Sequence, residues 1–600
     1  LNQERQHDLA IRHFEEALAL SRDAADRVTE ARALYGLAKA TLGTKQLEKA
    51  RTHVERAVAV AESLRTGVEN RELRASYVAS VYRYYELQVD VLTRLHSARP
   101  GGGFSAKAFE ASEHARARSL LESLTESGVD LRAGVDAELL RREQMAKVAF
   151  EKWAGRNRQG SKGEPGHAQR LANEYRDLEE QYQRIQAEIR SRSPRYAALA
   201  RPQPLSLGEI QKEVLDRDTV LLEYALGEER SYVWVVSQDA HVLHELPPRA
   251  QLEAAAQRVY ERLVGRAQAE FWTEASRLSD ILIAPVAKRI AGKRLLIVAD
   301  GVLQYVPFSA LPVPGRSAPA VPLMAEHEIV NLPSASVLAV LRREARSRTE
   351  AARSVAVFAD PVFEPDDPRL RANGRSGATA KGGVQPARQA AATSGLRSFE
   401  FIKDGKWNVP RLPATRHEAD AIIAAAPAAQ ALKRTGFDAS RAAALDSALA
   451  QYRIVHFATH GIVDNEHPGL SGLILSLYDD KGQPQDGFLR LHDIYNLRLP
   501  TELIVLSACS TALGKQVKGE GLTSLVRGFL YAGAKRVVAS LWKVDDEATG
   551  ELMRRFYGEM LQTKRSPAAA LRQAQLEMWR QDRWQAPFYW AAFSVQGEWR

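Results

Sequence analysis

The chain has 600 residues, several times what one hydrophobic core usually serves, so about three or four folding units are expected. Its composition, 45% hydrophobic and 26% charged, excludes disordered and fibrous classes, and no run approaches the ~18 consecutive apolar residues of a membrane-spanning helix. The net charge of +9 comes from 83 basic and 74 acidic residues interleaved along the chain, without the basic stripes and alternating aromatics that mark a nucleic-acid partner.

The chain opens on Leu1 rather than Met, which is expected of a trimmed or processed form. Cys509 is the single cysteine. That excludes an internal disulfide framework and a thiolate metal cluster, and it fits a reducing compartment such as the cytoplasm.

Residues 1–125 read as successive helices. Phe14-Glu-Glu-Ala-Leu-Ala-Leu20 and Val54-Glu-Arg-Ala-Val-Ala-Val60 recur at an offset of 40 positions, with Ala33-Leu-Tyr-Gly-Leu-Ala38 between them as the inner face of a helix pair. This pattern resembles tetratricopeptide repeats; a plain helical bundle is the alternative. Residues 126–200 are a highly charged helical spacer, Ala137 to Ser191, read as a helical hairpin interrupted near Gly160 to Gly166.

From about Arg201 the texture changes to short β-branched runs separated by helical ones. Thr219–Tyr224, Ser231–Val236 and Ala240–Leu246 read as neighbouring strands, followed by helices over Gln251–Gly265 and Glu270–Ile290. Arg294–Ala299, Ser354–Ala359, Arg453–Ala458, Glu502–Ser507 and Arg536–Leu541 are apolar runs of strands buried on both faces. Residues 201–600 are therefore expected to form an α/β region with a mostly parallel sheet flanked by helices, divided into an N-terminal part at about 201–345 and a second part at about 400–600. Between them, Arg371 to Ser398 has few large apolar residues and reads as a flexible loop; in a protease it would be a candidate for self-cleavage.

Two strand ends carry chemistry. Leu503-Ile-Val-Leu-Ser-Ala-Cys-Ser-Thr511 delivers the only thiol at the carboxyl end of a strand, where open α/β sheets bind ligands; taken alone, it fits a buried inert cysteine equally well. Arg453-Ile-Val-His-Phe-Ala-Thr-His-Gly461 ends the same way on His460. Were the two strands adjacent and parallel, imidazole and thiol would meet at one rim, and the imidazole could accept the thiol proton. The N–H groups of Gly461 and Cys509 would then be oxyanion donors. His456, deeper on the same face, and His467, in a loop, are weaker candidates for the base; His417 and His492 read as surface or capping residues. Gly514-Lys-Gln-Val-Lys-Gly-Glu-Gly521 lacks the Gly-Lys-Ser/Thr ending of a phosphate loop, and there is no zinc-protease helix or serine-hydrolase elbow.

His456-Phe-Ala-Thr-His-Gly461, Leu506-Ser-Ala-Cys-Ser-Thr511, Gly519-Glu-Gly521, Ala532-Gly-Ala534 and Val538-Ala-Ser-Leu-Trp542, in that order, resemble the CHAT peptidases. These are caspase-like domains attached to tetratricopeptide repeats and related more distantly to separase, caspases and metacaspases. The resemblance spans roughly Leu295 to the C-terminus. It implies a caspase-like α/β fold behind a helical-repeat arm, a bacterial cytoplasmic setting, a His460–Cys509 dyad without metal or organic cofactor, protein substrates, and a regulatory protein partner on the repeats. It also places Ser507, Trp542, Asp545 and Asp546 at the substrate cleft. An acidic pocket there would select a basic residue before the cut, although Ser507 stands where basic-specific metacaspases carry Asp; helix capping is the alternative role for Asp545 and Asp546. The rival to a peptidase is a catalytically silent interaction scaffold.

Overall fold

The computed structural model describes residues 2–65, 71–116, 135–156, scattered positions between 174 and 192, 204–316, 320–372 except 347 and 349, 402–403, 406–407, 409–462, 471–508, 515–517, 521–523 and 525–600. The segment 373–398, with most of the expected flexible loop, and the candidates Cys509 and His467 lie outside these residues.

Five helices open the chain: α1 (Asn2–Asp23), α2 (Arg27–Gly43), α3 (Leu47–Arg65), α4 (Arg71–Ala98) and α5 (Phe104–Ala115). Asp26 starts α2 by accepting the N–H groups of Val28 and Thr29, a side-chain cap for donors with no partner inside the helix. Leu34 and the small residues Ala31, Ala57 and Ala61 close the α1–α3 core, with Tyr84 of α4. The spacer contains α6 (Ala137–Arg156), whose Leu139 and Ala146 pack on Tyr182, Ile185 and Ile189.

The α/β region is built on one 11-stranded sheet in the order β3-β2-β1-β4-β5-β18-β17-β14-β10-β6-β9. Its strands are β1 (Thr219–Ala225), β2 (Ser231–Val236), β3 (His241–Leu246), β4 (Arg294–Val298), β5 (Ile329–Asn331), β6 (Arg353–Pro361), β9 (Ala431–Gly436), β10 (Tyr452–Ala458), β14 (Leu503–Ser507), β17 (Arg536–Ser540) and β18 (Phe593–Gly597). Only β1/β2, β2/β3 and β17/β18 pair antiparallel; the other neighbours are parallel. The inner strands β4, β14 and β17 are apolar and buried almost throughout, as a sheet covered by helices on both faces requires. Among the covering helices are α7 (Arg249–Val264), α8 (Gln268–Leu282), α9 (Ala335–Arg346), α10 (Ala414–Ala425), α11 (Asp546–Tyr557) and α12 (Pro567–Trp579). Small antiparallel pieces decorate the main sheet: β7 (Ile402–Lys403) with β8 (Lys406–Trp407), β11 (His460–Ile462) with β12 (Gly472–Ile474) and β13 (Phe488–Arg490), and β15 (Lys515–Val517) with β16 (Gly521–Thr523).

The helical arm is not separate from the sheet. Phe109 of α5 meets Trp234 of β2 edge-on at 6.0 Å, and the Trp234 indole N–H donates to the Ser105 carbonyl at 3.2 Å. Leu87, Val91 and Leu95 of α4 belong to the same continuous core as β1 and β2, so α4 and α5 act as sheet-covering helices as well as the end of the repeat array.

Candidate active site

The parallel register of β10 and β14 decides what their carboxyl ends can share. Ala458 is the partner of Ser507, and on the other side Ala458 pairs with Ala359 of β6. His460 and Cys509 each follow that Ala458–Ser507 pair by two positions. Ser507, the last residue of β14, is buried, and the carbonyl of Ala508 beyond it accepts a hydrogen bond from the Ser540 hydroxyl at the end of β17.

His460 is 5% exposed. Its Nε2 lies 2.7 Å from the Pro410 carbonyl, and its ring packs on Phe363 with centroids 5.2 Å apart. A carbonyl can only accept, so Nε2 carries the hydrogen and the neutral ring keeps its lone pair on Nδ1. Burial pushes the imidazole down to about 4; the Pro410 carbonyl opposes this shift and the Lys543 charge adds to it. At neutral pH the ring is therefore an uncharged proton acceptor.

Strand pairing orients Gly461. Leu475 N–H donates to the Gly487 carbonyl, and Leu491 N–H to that of Ser471, so odd-numbered residues of β12 turn their backbone groups toward β13. The alternation of antiparallel pairs then gives Gly472 and Ile474 to β11, opposite Ile462 and His460. Gly461, opposite Leu473, directs its N–H away from β12, where the small sheet leaves it unused. Glycine at 472 is obligatory for this arrangement, since a Cβ there would stand 2.3 Å from the Leu489 carbonyl oxygen.

His456 is a core residue. It is wholly buried, with Nδ1 2.9 Å from the Tyr557 hydroxyl and Nε2 2.9 Å from Glu418 Oε1, tying β10 to α10 and α11. Both ring nitrogens face protein groups, so among the described residues His460 is the candidate base that stands beyond the end of β10. Among the described residues no group of three or more His, Cys, Asp or Glu is arranged to hold a metal ion, and no helix is long and apolar enough to cross a membrane.

Residues 273–598 match the CHAT domain, which is more than half of the chain. The chain belongs to the CHAT-domain family. Residues 1–63 of this CHAT-domain chain match a tetratricopeptide repeat, in agreement with the recurrence seen in α1–α3. Tetratricopeptide repeat protein 28 of Mus musculus and that of Homo sapiens are each 29% identical to it over 180 residues, 25% of this chain. The chain spans only 7% of the length of these two relatives. Two structures of the Saccharomyces cerevisiae separase–securin complex align with 96% and 97% of the chain at 10% identity, with TM-scores of 0.37 and 0.38, and the chain covers 48% of their length.

Three of the expected substrate contacts have places of their own inside the fold. Trp542 is 1% exposed and its indole N–H donates to the Phe588 carbonyl at 3.2 Å; a satisfied, enclosed indole offers a peptide no surface. Trp542→Ala is expected to cost about 3–5 kcal/mol of stability, read as a shifted denaturation midpoint. An unshifted midpoint with altered cleavage preference would return Trp542 to the cleft. Asp545 is the N-cap of α11, accepting Ala548 N–H at 3.1 Å, with the Arg266 guanidinium 3.8 Å away. Asp546 is the first residue of α11, its carboxyl held above the usual value by desolvation and by the charges of Asp545 and Glu418. The acidic pair therefore serves the helix start. Pro410, Phe363, Lys543 and Ser540 surround the strand ends without having been singled out in the sequence.

Proposed function

We propose that this CHAT-domain chain is a cysteine endopeptidase with Cys509 as nucleophile and His460 as base. The observation that carries the reading is the β10–β14 register, which ends two parallel strands level with each other just before the imidazole and the thiol. His460 Nδ1 takes the Sγ proton as sulfur attacks the peptide carbonyl carbon. The carbonyl oxygen, now an anion, is met by the outward N–H of Gly461 and by that of Cys509. The imidazolium returns the proton to the departing amine, leaving a thioester, and the neutral ring then deprotonates the water that hydrolyses it. This chemistry draws on a thiol and an imidazole alone, and a single free thiol suits the reducing cytoplasm.

The helical arm gives the enzyme a surface for a regulatory protein partner. In support, α4 packs against β15, and the turn Gly301–Tyr305 packs against β16, so the arm reaches the hairpin that follows the cysteine in the chain. The test is to incubate wild type and Cys509→Ala with a denatured protein mixture and map new termini by mass spectrometry. New termini from wild type alone are expected; identical termini in both would remove the peptidase assignment and promote the scaffold reading.

A further inference from the structure

Positive charge in excess of what the fold uses gathers one strand away from His460. Asp360, the penultimate residue of β6, lies in the left-handed region at φ 48° and is wholly buried. Arg411 donates to its two carboxylate oxygens at 2.8 and 2.8 Å, and Arg416 donates from Nε at 2.9 Å. Arg369 adds a terminal nitrogen at 3.0 Å while binding Asp367 with its remaining donors. One guanidinium group would already neutralise this buried carboxylate.

Arg411 and Arg416 spend only part of their donors on Asp360. Arg411 keeps one terminal nitrogen and Arg416 keeps both, with no other hydrogen bond among the described residues. Their side chains are 37% and 38% exposed. Both planes are fixed from behind by Asp360, so little freedom is lost when an anion arrives in front. Arg411 directly follows Pro410, whose carbonyl holds His460. Strands stand ~4.8 Å apart, so the edge of β6 lies ~10 Å from that of β14, about three residues of extended peptide.

We propose that Arg411 and Arg416 form a subsite for an acidic side chain of a peptide lying across the carboxyl ends of β14, β10 and β6, within about three residues of the scissile bond. The assignment of this subsite to a cleavage reaction rests on the endopeptidase reading above. It is distinct from the basic preference expected at the residue before the cut from Asp545 and Asp546, which stand at the start of α11.

Two readouts separate the subsite from the chemistry. Full-length Cys509→Ala is titrated against fluorescein-labelled peptides that differ only in Glu against Gln, at low salt, by fluorescence anisotropy. The Glu peptide is expected to bind about tenfold tighter, and Arg411→Gln/Arg416→Gln to abolish the difference. In parallel, cut sites of the wild type in the denatured mixture are expected to show Asp or Glu enriched at one position within about three residues of the cut. The single variant Arg416→Gln, which leaves Arg369 and Arg411 on Asp360, halves the charge and keeps the test valid where the double variant unfolds. A Glu preference in binding without any cleavage would uphold the subsite and refute the peptidase. Equal binding, or none, of the two peptides overturns the subsite, as does cleavage without acidic enrichment.

Discussion

His460→Phe is expected to lower the cleavage rate by about 10²–10⁴-fold, the contribution of a positioned general base, and at the same time to make the fold less sensitive to acid. The second effect follows from the environment of the ring. Burial holds the imidazole at about 4, against ~6.5 in an unfolded chain. Between these values the unfolded chain takes up a proton that the folded chain refuses, so stability falls as pH falls through the window. Above pH 6.5 the penalty is absent; at pH 5 it reaches about 2 kcal/mol, each pKa unit being ~1.36 kcal/mol. Denaturation of wild type and His460→Phe at pH 7.5 and pH 5 isolates this contribution from the carboxylates that titrate in both proteins. The wild type should lose about 2 kcal/mol more than the variant. The same burial places the acid limb of kcat/KM for the wild type below pH 5.5; a limb near 6.5, or equal acid losses in the two proteins, contradicts a buried neutral base.

The inner strands of the central sheet were legible because apolar residues fill both their faces between the strand ends. Leu503–Ser507 and Arg536–Ser540 have no polar side to alternate with, a pattern that only a covered, mostly parallel sheet explains. The strands that escaped notice lack it. β9, at the sheet edge, mixes Ala431 and Leu432 with Lys433, Arg434 and Thr435. β18 alternates Phe593, Val595 and Gly597 with Ser594 and Gln596, and nothing local says that it bridges β5 and β17. β5 and β11 are three residues long and exist only through their partners. The site divides the same way. His460 and Cys509 were legible as residues just beyond two apolar strands, whereas Pro410 and Phe363 reach the imidazole from 50 and 97 positions upstream, a distance no spacing rule covers. Trp542 misled because an aromatic just past a strand end is chemically equal in cleft and core; only the enclosure by Phe588 and its neighbours tells them apart.

Glu113→Ala is expected to cost about 3–5 kcal/mol of stability, the scale of a broken buried charge network, and to loosen the helical arm from the sheet. Glu113 sits on α5 and is wholly buried. Its carboxylate accepts the N–H groups of Ala335 and Ser336 at 3.0 and 2.9 Å and the Ser336 hydroxyl at 2.5 Å, so an arm residue closes the first turn of α9 where unpaired donors and the helix dipole favour an anion. Ser334 contributes its hydroxyl to Val337 N–H at 3.1 Å, which leaves the other donors dependent on Glu113. Beside it, Arg116 Nε lies 3.3 Å from Glu223 of β1, and the carboxylates of Asp300 and Glu223 outweigh desolvation to hold that guanidinium more firmly charged. Desolvation, reinforced by the charge of Glu113, holds the Glu223 carboxyl well above its usual value. Removing Glu113 therefore strips two backbone donors and a hydroxyl of their acceptor while relieving Glu223, and the first effect dominates because the donors have no water to turn to. Glu113→Gln keeps an acceptor oxygen but adds an amide N–H to the cluster, and about half the loss is expected. Chemical denaturation gives the cost, and limited proteolysis near residues 98–104 reports whether the arm is released first. A loss below about 1 kcal/mol for Glu113→Ala would mean that apolar packing through Phe109 and Trp234 alone seats the arm. The predicted loss would instead make this carboxylate the polar clasp that holds the arm on the sheet.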